Sequence, residues 1–429
     1  MFTSLRASLT AVALGIAACG TGQQVVDPNI AVTPIVTLGS LSQPTCMAFL
    51  TDTDILVGEK STGRVRRVTN GAVNATAVLD LPVNSSSERG LLGLTLHPQF
   101  ATNNFVYVFY TRSNTGGDTS VQASVDNQRV ERYTWNGTSL VFNASILNLP
   151  VLNGPNHDGG IILFGPPTAA PAAQKLFVVL GDLNRTGKNQ NYATGGNEAD
   201  DSGAILRVNA DGSTPSGAEK GPFFDIVGAN TSLQRTYAYG IRNCFGMGFD
   251  PLTDKLWMTE NGPGVYDELN LVEPGFNSGW RRIMGPASRN STQGAPSIFN
   301  HAATSTYSDP EFSWLNPVAV TSIHFNRSNG MGAAYLNDCF VGDNNTGNLY
   351  RFDMTPTRDG FTLATPALAD MVLDGADSNT EFVFGSGFPV VTDIENCPNG
   401  DFHILSLALG QIYKLKTTVT AADDWQIYE

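Results

Sequence analysis

A unit of three or four short strands separated by tight turns recurs along this chain, and it constrains the fold more than any other feature. The copies begin near Pro44, Gly90, Asp158, Tyr239, Val318 and Val390. Each copy alternates apolar and polar residues, is rich in β-branched and aromatic residues, and turns at Gly, Asp or Asn, which is typical of strands. No stretch of more than a few residues keeps the spacing of an amphipathic helix. The chain is therefore predicted to be all-β.

Six sheet-forming units predict a six-bladed β-propeller, in which closure of the ring protects most strand edges. A pair of β-sandwiches is the alternative, but the even repeat favours the propeller, and N-terminal strands could complete the last unit. Long polar connections are expected to form loops over one face, where functional residues usually lie. These connections are Asn114–Gln128, Arg185–Ser202, Ser213–Gln234 and Met284–Pro317.

The acidic balance of the chain excludes some classes of partner. With 25 Lys and Arg against 39 Asp and Glu, the net charge is −14. No basic stripe is present that could release counterions from a phosphate backbone, so we expect no nucleic-acid partner. The same charge disfavours adhesion of the protein surface to anionic lipid.

The N-terminus has the features of an export signal. Arg6 precedes an apolar run, Leu9–Ala18, which is shorter than the ~20 residues that a membrane-spanning helix needs. Small residues before Cys19 resemble the bacterial lipoprotein signal, in which that cysteine is lipidated; an ordinary cleaved signal is the alternative. We therefore expect a periplasmic or cell-surface lipoprotein tethered to the membrane through Cys19. The predicted organisation is a signal peptide (1–18), a flexible tether (19–40) and a single propeller domain (41–429).

Four further cysteines, an even number in an oxidising compartment, predict two disulfides. They are scattered singly, which argues against a zinc site. Three pairings are possible. Because Cys46 lies near the start of the propeller and Cys397 near its end, where the first and last units would meet, we expect Cys46–Cys397 and Cys244–Cys339.

The segment Tyr239–Trp280 concentrates residues that could bind a ligand. It contains, in order, the pair Arg242 and Asn243 in a Gly-rich turn, a strand pair across Met247–Glu260, the turn Gly262-Pro263 and the acidic pair Asp267 and Glu268. A fixed cation, two backbone carbonyls and two carboxylates could form an oxygen-ligand metal site facing an anionic or polarised ligand. A hairpin with a solvated acidic loop is the alternative interpretation.

Seven segments resemble, in order, those of a known family. They are GLLGLTLHPQF (90–100), NHDGGIILFGP (156–166), VVLGD (178–182), GAILRVNADGS (203–213), YGIRNCFGMGFDP (239–251), TENGPGVYDELNLVEPGFNSGW (259–280) and VGDNNTGNLYRFDM (341–354). They are similar to the glucose/sorbosone dehydrogenase family of soluble, pyrroloquinoline quinone (PQQ)-dependent aldose dehydrogenases and their relatives. The likeness extends from about Pro44 to Leu415. It implies a six-bladed propeller with the cofactor over its central mouth.

The resemblance implies roles for single residues. His157 matches the base that takes the proton of the sugar hydroxyl while hydride passes to the quinone, as a near-neutral pKa allows. Asp182 matches the carboxylate that orients this base. Glu88 falls where some relatives have a Gln beside the substrate; pairing with the adjacent arginine is the alternative. Arg242 and Asn243 match a pair that contacts the cofactor and stabilises charge on its carbonyl oxygen.

The resemblance also implies calcium. Gly262 and Pro263 match the backbone carbonyls that hold an active-site Ca²⁺, which polarises the quinone carbonyl. Asp267 and Glu268 match the acidic pair that follows and are expected to serve the same or a second calcium.

Two departures concern the acidic groups of the cofactor. The segment FPVVTDI (388–394) stands where glucose dehydrogenases carry two arginines, and the run at 343–346 replaces an expected lysine. PQQ has three carboxylates, and charge-assisted contacts contribute about 1.5–3 kcal/mol each, so these losses weaken the prediction of PQQ binding. Candidate substitutes from the long loops are Arg281, Arg282 and Lys188.

Several functions fit these observations. The first is an exported quinoprotein oxidising an aldose or polyol and passing electrons to a quinone or cytochrome. The second is a propeller that binds carbohydrate or protein without redox chemistry. A calcium-dependent hydrolase on a similar propeller is a weaker third, because no GxSxG or HExxH motif accompanies it. Fold alone does not decide between them.

Overall fold

Strands account for nearly all of the regular structure. The computed structural model describes residues 22–184, 191, 198–289 and 298–419. The strands of the first half are β1 (Gln24–Val25), β2 (Ile30–Pro34), β3 (Pro44–Thr51), β4 (Asp54–Glu59), β5 (Arg64–Thr69), β6 (Ala72–Val73), β7 (Leu79–Asp80), β8 (Leu91–Leu96), β9 (Phe105–Ser113), β10 (Val125–Trp135), β11 (Leu140–Leu149), β12 (Ile162–Gly165), β13 (Lys175–Leu180), β14 (Ala204–Val208) and β15 (Thr236–Tyr239). Those of the second half are β16 (Gly246–Phe249), β17 (Leu256–Glu260), β18 (Asp267–Val272), β19 (Phe276–Asn277), β20 (Thr306–Tyr307), β21 (Phe312–Trp314), β22 (Val320–Phe325), β23 (Cys339–Asp343), β24 (Leu349–Met354), β25 (Phe361–Thr362), β26 (Val372–Leu373), β27 (Val383–Ser386), β28 (Val391–Asn396), β29 (Phe402–Ser406) and β30 (Gln411–Thr417).

Helices are short throughout the described ranges. The α-helices are α1 (Phe100–Asn103) and α2 (Thr231–Arg235). The 3₁₀ turns are Gly217–Glu219, Ala287–Arg289, His301–Ala303, Asn329–Met331, Ala333–Tyr335 and Pro366–Leu368. No helix within residues 22–184, 198–289 or 298–419 has the length and apolar content to cross a bilayer. The prediction of an all-β chain is confirmed.

The strands form six sheets over the described part of the chain. Each is built on antiparallel neighbours: β3 to β6, β8 to β11, β12 to β15, β16–β17–β18–β21, β22–β23–β24–β27, and β28–β29–β30–β2. The first strands of the six sheets lie next to one another in a cycle. Each contacts the next in the order β3, β8, β12, β16, β22 and β28, and β28 contacts β3. This cyclic order is a β-propeller arrangement and excludes a pair of sandwiches.

N-terminal strands join the last two sheets. β2 pairs antiparallel with β30, with Ile30 opposite Thr417, and β1 pairs with β27. The prediction that N-terminal strands complete the ring is confirmed. The prediction of a flexible tether over 19–40 is wrong for the residues that contain β1 and β2, because the backbone hydrogen bonds of these strands hold them in the sheets. The signal peptide and Cys19 lie outside the described residues.

The apolar core lies between the faces of adjacent sheets. One cluster joins Leu56 of β4 to Val108 of β9, and another joins Trp257 of β17 to Val341 of β23. Alternation along each strand places one apolar set on each face, and neighbouring sheets cover both. The central strands are consequently buried on both sides, and the chemistry is left to the loops at the ends of the strands.

The prediction of two disulfides is wrong. All four described cysteines are buried free thiols. Cys46 and Cys397 belong to different apolar clusters, as do Cys244 and Cys339. Each thiol packs as a small apolar group between sheets, and burial raises the pKa of Cys46 and of Cys244 to about 12.

Candidate functional site

Three segments that are distant in sequence meet at Gly181. A Cβ atom at this position would lie 2.4 Å from the carbonyl oxygen of His157 and 2.6 Å from that of Arg242. The amide of Asp182 donates to the Arg242 carbonyl at 2.9 Å. Only glycine allows such a close approach. The predicted base, its orienting carboxylate and the predicted cation are therefore neighbours.

His157 and Asp182 form a direct pair. His157 Nδ1 lies 2.5 Å from Asp182 Oδ1, and Asp182 is 1% exposed. The backbone amide of Asn184 also donates to Oδ1, at 2.9 Å. A carboxylate at Nδ1 favours the tautomer with the proton on that nitrogen, which leaves Nε2 as the acceptor. His157 itself has a positive φ of 63° in its turn.

Trp280 connects this pair to the cation, and sequence reasoning assigned it no role. Its Nε1–H donates to Asp182 Oδ2 at 2.7 Å, and its ring lies 5.5 Å from the guanidinium carbon of Arg242. The second oxygen of the carboxylate is thus held by the indole. The sequence signal was its position at the end of the Tyr239–Trp280 segment, but nothing local pointed to Asp182.

Arg242 and Asn243 carry polar atoms that have no partner. Arg242 donates from one terminal nitrogen to the Asn261 carbonyl at 2.7 Å, and burial lowers its pKa. In the described part of the chain, Arg242 Nε and Asn243 Oδ1 are buried without a hydrogen bond. Buried polar atoms normally have partners, and both residues border the cavity described below, where a bound ligand would supply them. They fit a group rich in carbonyl and carboxylate oxygens that also has a donor.

Glu88 belongs to the same group of residues. One of its oxygens, Oε2, accepts from the His157 amide at 2.6 Å and from Asn243 Nδ2 at 3.1 Å. The alternative that Glu88 pairs with Arg89 is wrong. Arg89 is fully buried and faces Asp158, with Nε and Oδ1 separated by 3.8 Å. The sequence neighbours thus point in opposite directions.

A cavity of about 480 Å³ is bordered by Glu88, His157, Arg242 and Asn243. Its wall includes Lys60, Glu88, Asn156, His157, Arg242, Asn243, Asn261, Asn344, Val390 and Thr392. Val390 and Thr392 come from the segment 388–394, so the wall is uncharged there, as the sequence indicates. Arg281 and Arg282 are not among the described wall residues, and Lys188 lies outside the described part of the chain. Lys60 was not considered from sequence.

The acidic pair proposed for calcium is used inside the protein. Asp267 accepts from the amides of Gly262 (3.0 Å), Ala319 (2.6 Å) and Val320 (3.3 Å). Glu268 accepts from the Gly285 amide and from Asn270. No cluster of three or more His, Cys, Asp or Glu within the described ranges suits a metal ion.

The two carboxylates do not fit the proposed calcium role, because their oxygens stabilise turns. Both are buried, and burial raises the pKa of Asp267 and of Glu268. The backbone carbonyls of Gly262 and Pro263 remain a prediction. Neither residue is among the described cavity wall.

Glu260 provides a pH-dependent prediction. It is fully buried opposite Glu268 in the β17–β18 pair, and it accepts from the Arg242 amide at 2.6 Å. Burial raises the pKa of Glu260 from 4.5 to about 7. The folded protein therefore holds this proton more tightly than the unfolded chain, and the stability falls as the pH rises through this window.

The variant Glu260→Gln keeps an acceptor for the Arg242 amide and removes the ionisation. We expect its free energy of unfolding to fall less with pH, with a gain over the wild type of about 1–3 kcal/mol above pH 7. Urea unfolding between about pH 4 and pH 8 measures this. Equal slopes in the two proteins would contradict it.

Comparison with known proteins decides the family. The family model described as glucose/sorbosone dehydrogenase matches residues 41–371. The chain belongs to the glucose/sorbosone dehydrogenase family. Within this family, the chain is 30% identical over 268 residues to quinoprotein glucose dehydrogenase B of Acinetobacter calcoaceticus, with 58% of this chain and 52% of that protein covered. It is 28% identical over 241 residues to aldose sugar dehydrogenase YliI of Escherichia coli, with 56% and 59% covered.

Solved structures of aldose sugar dehydrogenases share the fold. The PQQ-bound form of aldose sugar dehydrogenase from Streptomyces coelicolor aligns with a TM-score of 0.64 at 22% identity, covering 90% of this chain and 98% of that one. The soluble aldose sugar dehydrogenase of Escherichia coli, in its apo form, aligns with a TM-score of 0.66 at 21% identity, covering 91% and 99%. At this identity the likeness concerns the fold. The sequence matches to glucose dehydrogenase B and to YliI span little more than half the length of those two proteins.

Proposed function

We propose that this glucose/sorbosone dehydrogenase family member is a PQQ-dependent oxidoreductase that oxidises a hydroxyl group of an aldose or related polyol. The His157–Asp182 pair, with its 2.5 Å contact on the same cavity as Arg242, carries the proposal. Membership in a family whose relatives are named quinoprotein and PQQ-bound dehydrogenases supports the choice of cofactor.

Each residue of the site has its own role in the proposed reaction. His157 Nε2 accepts the proton of the substrate hydroxyl, because Nδ1 is occupied by Asp182. Asp182 stabilises the imidazolium that results, and Trp280 keeps that carboxylate in place. When bound, PQQ would supply the acceptor for the hydride that leaves the carbon bearing that hydroxyl. Arg242 and Asn243 would hold it through their unpartnered atoms.

The proposal also covers the number of blades, the location of the protein, the electron acceptor and calcium. Each of the six sheets is assigned to one blade, which the cyclic order of their first strands supports. A signal-like N-terminus supports export and lipidation at Cys19. Electrons would leave to a quinone or cytochrome acceptor. Calcium, if held, would be bound by the carbonyl oxygens of Gly262 and Pro263.

A binding module without redox chemistry is the second candidate. The neutral wall at Asn344, Val390 and Thr392 favours it, because these side chains offer no charge to the carboxylates of PQQ. Such a protein would keep the cavity for a carbohydrate and would not turn it over.

Reconstitution distinguishes the two candidates. The full chain is incubated with calcium and PQQ, and dye reduction is followed with a panel of aldoses and sugar alcohols. We expect a shift in cofactor absorbance and dye reduction by at least one sugar. The same protein without PQQ is the control. Absence of binding at micromolar PQQ would reject the dehydrogenase and favour the module.

Chelation tests the calcium component separately. We expect EDTA to lower both the melting temperature and the affinity for PQQ, and calcium to restore them better than magnesium, which demands stricter octahedral geometry. If EDTA changes neither quantity, no calcium is held at Gly262 and Pro263, and the rest of the proposal stands.

A further inference from the structure

Lys60 is a cation on the cavity wall. It lies in the turn between β4 and β5, on the same cavity as His157 and Arg242. The segments 343–346 and 388–394, where the family resemblance implies further cations, contain no lysine or arginine in this chain. The described cavity wall contains one lysine, Lys60, and one arginine, Arg242.

The fold holds Lys60 in place. Gly90 has a φ of 144°, and a Cβ atom there would lie 2.3 Å from the Lys60 carbonyl oxygen and 2.7 Å from its Cγ. The stem of the lysine therefore occupies space that only glycine leaves open. At its tip, Nζ donates to the Ser87 carbonyl at 2.6 Å. This bond fixes the ammonium group next to Glu88.

The charge of Lys60 is not cancelled by a close carboxylate. Within the described ranges no acidic oxygen lies within 4.0 Å of Nζ, although Glu88 and Asp158 attract it from a greater distance. Glu88 Oε2 is already shared by His157 and Asn243. An ammonium group has three donors, and the Ser87 carbonyl takes one of them. Partial burial lowers the pKa of Lys60.

We propose that Lys60 binds a carboxylate of the molecule that occupies the cavity, and so replaces the cationic clamp that this chain lacks. The carboxylate has two possible sources. The first is the PQQ cofactor, and for this source the inference rests on the proposed function. The other source is an acidic sugar such as a uronic acid. Both ligands would place a carboxylate against the ammonium group of Lys60. Arg242 is the second positive charge on the cavity wall.

Binding measurements on the purified full chain test the proposal without turnover. The apo-protein is titrated with PQQ by fluorescence quenching, and with glucuronate and glucose by calorimetry. Because a charge-assisted contact is lost, we expect Lys60→Met to weaken binding of PQQ, or of glucuronate but not glucose, by about 10- to 100-fold. Lys60→Arg should remain within a few-fold of the wild type.

Lys255→Met is the matched control, because Lys255 Nζ also donates to a backbone carbonyl, that of Thr357, away from the cavity. It should leave all affinities unchanged. Weaker binding of PQQ alone assigns the carboxylate to the cofactor, and weaker binding of glucuronate alone assigns it to the substrate. Unchanged affinities for both ligands in a folded Lys60→Met variant would overturn the proposal. If the wild type binds no PQQ, the proposed function fails, and the glucuronate measurement alone decides the role of Lys60.

Discussion

Replacing His157 with asparagine should lower kcat by about 100- to 10,000-fold and leave the melting temperature nearly unchanged. Loss of a positioned general base has an effect of this size. Asparagine tolerates the positive φ of 63° at this position better than other non-glycine residues, and its amide can still donate to Asp182. The substitution therefore removes the basic Nε2 atom while keeping the turn. The measurement is dye reduction by the reconstituted protein.

Two further variants interpret that result. His157→Ala should be equally inactive, because it also lacks the base. His97→Asn is the matched control, since His97 makes its hydrogen bonds to Gln99 and Asn103 and does not border the cavity. It should retain activity. A His157→Asn variant that works within a few-fold of the wild type would show that another group takes the proton, and a large loss of melting temperature would make His157 a structural residue.

Arg89→Met should cost about 3–5 kcal/mol of stability, the largest effect on folding that we expect from a single polar side chain here. Arg89 is fully buried and donates to the carbonyls of Gln122 (2.9 Å) and Val151 (2.8 Å). Methionine would leave both carbonyls without these donors and would leave Asp158 without its cation. Since burial already raises the pKa of Asp158, the variant should lose more stability as the pH rises above the ordinary Asp value.

Urea unfolding of three variants checks this. The double variant Arg89→Met/Asp158→Asn should recover part of the loss, because the buried ionisable group is gone. The exposed pair Arg64–Asp80, with Nε and Oδ2 3.2 Å apart and side chains 48% and 59% exposed, is the matched control. Arg64→Met should cost no more than about 1 kcal/mol. A similar cost at both arginines would mean that the buried pair has no special role.

Arg89 and Asp158 also show how the interior affects the site. Each directly follows a cavity residue, Glu88 or His157, in sequence. Glu88 lies in a turn, and His157 has a positive φ of 63°. The Arg89–Asp158 ion pair is buried, while the Glu88–His157 contact borders the cavity. From sequence, a pair between Glu88 and Arg89 was the alternative to a place for Glu88 beside the substrate. The distinction depends on which side of the chain faces the core.

Properties that depend on local pattern could be predicted from the sequence. Alternation, turn residues and repetition predicted an all-β chain with its sheets in a ring, and a strand pair within Met247–Glu260, which β16 and β17 confirm. The motifs named the family, and through it His157, Asp182 and Arg242. The structure brings these three residues together at Gly181. Their catalytic roles stay predictions.

Properties that depend on distance between remote segments could not be predicted. The disulfides failed because each cysteine lies between a different pair of sheets. The acidic pair at Asp267 and Glu268 looked like a metal site until its backbone partners were known, and the tether contains strands because the last sheets supply partners for it. Lys60 had no motif to mark it.

The sequence by itself therefore determined the class of fold, the family and the residues that the resemblance names, because strand alternation and motif order are written along the chain. Only the tertiary structure decided which side chains share the cavity, and it set Trp280 against Asp182, buried Arg89 with Asp158 and placed Lys60 on the wall. The physical reason is that hydrogen bonds, burial and charge act through space, between segments whose separation in sequence carries no information about their distance in the fold.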